Sequence, residues 1–112
     1  MYSIKHIEQK EVNSIELTFA SLELESTDLH YPPQEHTNSN TSLVRGNLIS
    51  IQQNNLQYWH NAIVLGFGVS YDYGQIMYIA YIDTYDKHAN MGRKPVMNRC
   101  IIPCNKIVLY SV

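Results

Sequence analysis

The sequence predicts a β-dominated single domain, built as a small barrel, and three observations carry that prediction. Leu48–Ile51, Tyr58–Phe67 and Gln75–Asp83 read as three successive strands, with apolar runs that are short and rich in β-branched and aromatic residues. Asn54-Asn55 and the Gly66–Gly74 segment supply turn chemistry between them. Two further apolar stretches, Val96–Ile102 and Ile107–Val112, follow and run to the last residue. A bent antiparallel meander of this size is the kernel of a small β-barrel.

Taken in order, Tyr2–Val12 has apolar residues at Ile4, Ile7 and Val12 without a clean period. In Ser14–Glu25, Ile15, Leu17 and Phe19 alternate, as do Leu22 and Leu24, with a phase slip at Ala20-Ser21. The alternation favours a strand carrying a bulge. A helix would instead gather Ile15, Phe19 and Leu22 on one face. Ser26–Ser42 contains Tyr31-Pro32-Pro33 and a polar run, and reads as an irregular segment. The expected layout is therefore an N-terminal β extension over 1–25, a loop over 26–42 and the barrel over 43–112. Within the barrel, Thr84–Lys94 is polar and contains Gly92, so an exposed loop is expected there. Pro103-Cys104-Asn105 should kink the last two strands apart.

At 112 residues the chain has the length of one domain. Only 16% of it is charged and the net charge is −2, with no run of lysine and arginine. That disfavours a sequence-independent nucleic-acid binder and leaves only a local patch near Arg93, Lys94, Arg99 and Lys106. Met1–His6 lacks the apolar stretch of a secretory signal, and no window approaches the ~20 apolar residues of a membrane span. The expected location is cytoplasmic. Cys100 and Cys104 are read as reduced thiols, at least one of them buried in a strand, since a C-x3-C pair alone is half a metal site. No histidine stands at ligand spacing with another, so neither metal nor cofactor is expected. Nine tyrosines supply most of the aromatic content, and such residues suit half-buried strands and contact surfaces alike.

Gly46–Ile51, then Tyr58-Trp59-His60-Asn61-Ala62-Ile63-Val64, then Tyr78–Asp83 together resemble the Tudor branch of the SH3-like small barrels. The resemblance spans Arg45 to about Asp86. It implies a barrel fold and an aromatic cage for a methylated cation. On this chain the cage positions fall on Gln52, which is not aromatic, on His60, on Tyr81 and on Thr84 beside Tyr85, with Asp86 in place of the cage asparagine. A second resemblance, of His60–Leu65, is to the MazF/PemK ribonuclease toxins. It implies His60 as a proton acceptor, with Arg93 or Arg99 beside the phosphate.

The expectation taken forward is a non-catalytic protein-binding module, of the kind that phage and mobile elements use to inhibit a host protein. The alternative is a MazF/PemK-like endoribonuclease or RNA-binding small barrel. No catalytic residue is assigned. The expected binding residues are Tyr58, Trp59, His60, Tyr81 and Tyr85, with another protein as the partner.

Overall fold

The computed structural model describes residues 1–30, 37–38, 41–53, 59–83 and 96–110. In chain order the elements are β1 (Tyr2–His6), a 3-10 turn (Gln9–Glu11), α1 (Ser14–His30), β2 (Thr37–Asn38), β3 (Leu43–Val44), β4 (Leu48–Gln53), β5 (His60–Ser70), β6 (Gly74–Asp83), β7 (Val96–Pro103), a second 3-10 turn (Cys104–Lys106) and β8 (Ile107–Tyr110). Six strands form one mixed sheet in the order β7-β6-β5-β4-β1-β8, and β2 pairs with β3 apart from it. The fold is β-dominated. All pairings in the large sheet are antiparallel except β1 with β8.

The β character expected of the N-terminal stretch holds for Tyr2–His6, which lies inside the sheet between β4 and β8. Hydrogen bonds do not close the sheet into a barrel, since β7 and β8 are its two edges. Those edges are nevertheless successive in the chain. Pro103 pairs with Ile76 of β6, Ile107 pairs with Tyr2 of β1, and only Cys104–Lys106 lies between. A twisted sheet whose two edges are tied by three residues has to curl around its own inner face.

That inner face is the main core. Ile4, Ile49, Val64, Phe67, Met77, Ile79 and Ile102 are all at most 1% exposed there. A smaller cluster of Ala20, Ile63, Leu65 and Ala80 lies between β5, β6 and α1. β5 is thus covered on both sides, which is why seven consecutive residues of it are buried. Its register shifts between Val64 and Gly66, a bulge that adds to the local bend. At Gly68 a Cβ would come within 3.1 Å of the Tyr78 ring, so glycine is what lets that ring cross the strand. The turn expected across Gly66–Gly74 is narrower than the sequence suggested. β5 runs on to Ser70, and β6 starts at Gly74, with φ of 70°.

The strand favoured over Ser14–Glu25 is instead the first part of α1, and the segment expected to be irregular from Ser26 belongs to the helix as far as His30. Two local bonds explain the outcome. Asn13 Oδ1 accepts the Glu16 amide at 2.8 Å, an N-cap that satisfies a donor the helix leaves open. The Thr18 hydroxyl donates to the Ser14 carbonyl at 2.9 Å, so the threonine is accommodated inside the helix. Ile15, Phe19 and Leu22 do share a helical face, but it is turned from the sheet, and Ile15 and Leu22 are more than half exposed. The face toward the sheet carries Glu16, Ala20, Glu23 and Leu24. Polar groups on and beside the sheet receive it: Asn61 of β5 donates to Glu16 at 3.3 Å, Arg99 of β7 forms a salt bridge with Glu23, and Arg45, just after β3, donates to the carbonyls of Leu24 and Leu65.

Candidate functional site

Side chains alternate along a strand, so the end of the inner face is set by counting in twos from the core. Ile79 leads to Tyr81 on β6, Ile51 to Gln53 on β4, and Ile4 back to Tyr2 on β1. On β5, Ala62 leads back to His60. Ala62 pairs with Tyr81 across the sheet, which makes His60 and Tyr81 diagonal neighbours. Their ring centroids are 5.9 Å apart at an interplanar angle of 55°, a tilted arrangement favourable for aromatic pairs. Tyr2 and Gln53 face each other directly.

These residues form the lip of a hollow of about 240 Å³. Ile51, Ile79 and Ile102 make its floor, and Cys100 and Ile101 of β7 make its far wall. Among the described residues no formally charged side chain lines it. A cavity of this volume is below the ~300–1,000 Å³ of typical small-molecule pockets. It has room for one large side chain. Burial raises the Cys100 thiol above its ordinary pKa of 9.0, so at neutral pH the wall presents a neutral SH group. Cys104 is buried in the core, and both cysteines are free.

The structure thus places His60 and Tyr81, two of the five residues expected to bind, side by side. Trp59 is near them in sequence but not in the hollow: it is 37% exposed, and the Lys5 ammonium stands 4.5 Å from its ring centroid. Tyr58 and Tyr85, like the turn at Asn54-Asn55 and the loop at Thr84–Lys94, lie outside the described residues. Tyr2, Gln53 and Ile101 were not singled out by the sequence, and Cys100 was read as a reduced thiol but not as part of a binding surface. Tyr2 sits in a segment without period, and only its pairing with Gln53 brings it to the lip. Of the two cations expected to serve a ribonuclease site, Arg93 is outside the described residues, and Arg99 is held by Glu23 of α1, against the outer side of the sheet from His60.

Among the described residues no cluster of three or more His, Cys, Asp or Glu could hold a metal ion. No helix described is long and apolar enough to cross a membrane. Comparison of the chain with protein-family models, curated proteins and solved structures finds no match.

Proposed function

We propose that this chain is a non-catalytic protein-binding module whose curled sheet acts as a small SH3-like barrel of the Tudor kind. It holds a partner by taking one of the partner's large side chains into the hollow between Tyr2, His60 and Tyr81. The observation that supports this most is the character of that hollow: among the described residues, three aromatic rings and no formal charge stand around an apolar floor. Such a site gains from excluding water around an inserted apolar or aromatic anchor, the arrangement in which a few contacts dominate affinity. Among the described residues it offers no cation to a phosphate, so the binding reading is preferred to RNA cleavage. Inhibition of a host protein is one use such a module could serve.

The test is capture of the partner from cells of the source organism on immobilised protein, with mass spectrometry of what is retained. The partner should be lost with Tyr81→Ala and with His60→Ala while both variants melt near the wild type. Retention of the same partner by both variants would place the contact elsewhere.

A further inference from the structure

We infer that the outer edge of β7 takes an extended segment of the partner as an added strand, with a carboxylate of that segment at Lys106. This deepens the binding-module reading and rests on it. The described pairings of β7 all run to β6, from Ile76–Pro103 to Asp83–Val96. Its other edge, among the described residues, meets no strand, and an open edge carries a row of backbone donors and acceptors suited to another chain. Pro103, which lacks a donor, closes β7, a position proline takes at a sheet edge.

Two observations turn this edge into a site of stated chemistry. First, a trough follows it. A second hollow, of about 320 Å³, shares Tyr2 and Ile101 with the first and extends past Pro103 to Tyr73 and Lys106. Ile101 stands half exposed where the two meet, so a strand laid along β7 would cover it. Second, the charge is one-sided. Lys106 is exposed and, among the described residues, is the one formally charged side chain of either hollow, with no carboxylate lining them. Tyr81 pairs with Asn98, and Lys106 lies beyond Pro103, so a bound segment puts its anchor at Tyr81 and a carboxylate at least five residues away, ~17 Å or more along an extended chain. The acidic group adds selectivity and orientation, and the backbone ladder adds affinity.

Random peptides of about twelve residues, long enough to span the edge, are displayed on phage and selected against the full chain. Enriched sequences should pair a large apolar residue with Asp or Glu at that spacing. Synthetic versions should slow amide exchange of β7. N-methylation should weaken binding about tenfold at alternate peptide positions and little between them. Lys106→Glu, a change at an exposed residue, should weaken the acidic peptides about fivefold and shift selection toward basic ones. Peptides that need Tyr81 yet protect no β7 amide and tolerate N-methylation throughout would overturn strand addition and leave the binding hollow standing. Enrichment of nothing, or only of peptides indifferent to Tyr81→Ala, would remove both. Protection of β7 that rises with protein concentration, without peptide and together with a dimer, would overturn the proposal by making the occupant a second copy of this chain.

Discussion

Ile79 and Tyr81 sit two residues apart on β6 and face the same way, yet they do different work. Ile79 is 1% exposed and belongs to the inner core, so Ile79→Ala should cost ~2–5 kcal/mol, read from the urea midpoint. Tyr81 lies at the lip, only partly buried, so its truncation should cost stability far less while removing ~2 kcal/mol or more of affinity for the partner. Cys100 adds a pH dependence of known sign. Its folded thiol titrates above its unfolded one, so in the alkaline range the unfolded chain loses its proton first and stability falls as pH rises. The contribution is fully present below the unfolded pKa. Denaturant midpoints at pH 7 and pH 10 should therefore differ less in Cys100→Ala than in the wild type; an unchanged difference would show that Cys100 is no source of it. The aromatic pair was legible in the sequence because His60 and Tyr81 lie in strongly apolar strands. The places of Tyr2 at the lip and Cys100 in the wall were not, because they depend on pairings with residues far along the chain.

At the scale of the element, α1 is the instructive case. Asn13 followed three residues later by Glu16 is a helix-start signature, and it outweighs the short alternation from Ile15 to Phe19. Asn13→Ala should cost ~0.5–2 kcal/mol. Of the apolar face that Ile15, Phe19 and Leu22 share, Ile15 and Leu22 are exposed, so Leu22→Ser should stay within about 0.5 kcal/mol of wild type by denaturant titration. No periodicity argument could have found this orientation. It is set by partners on the sheet: Arg99 for Glu23, Asn61 for Glu16 and Arg45 for the Leu24 carbonyl. The strands were legible for the converse reason. β4 to β7 are close in sequence and carry their own apolar patterns, whereas the bulge at Val64–Gly66 appears only when β5 is laid against β6. Gly68→Ala should destabilise the β5–β6 pair through its contact with Tyr78, and fluorescence-monitored unfolding would register it.

At the scale of the whole molecule, one short 3-10 turn between β7 and β8 ties the edges of a six-stranded sheet, and the hollow opens where β7 passes Tyr2 without pairing to it. The β-dominated class was readable from the run of strands, but the open sheet and the gap beside β7 were not, since they depend on β8, not β7, taking the free side of β1. The proposed function uses that gap. Cys100 stands in its wall and reports directly on whether a partner fills it. The decisive measurement is the alkylation rate of Cys100, followed by tandem mass spectrometry with and without the captured partner, with buried Cys104 as the internal reference. Occupancy of the hollow should slow Cys100 labelling by about tenfold or more at saturating partner, as expected when only the free form reacts. An unchanged Cys100 rate in the fully formed complex would contradict binding at the Tyr2–His60–Tyr81 hollow.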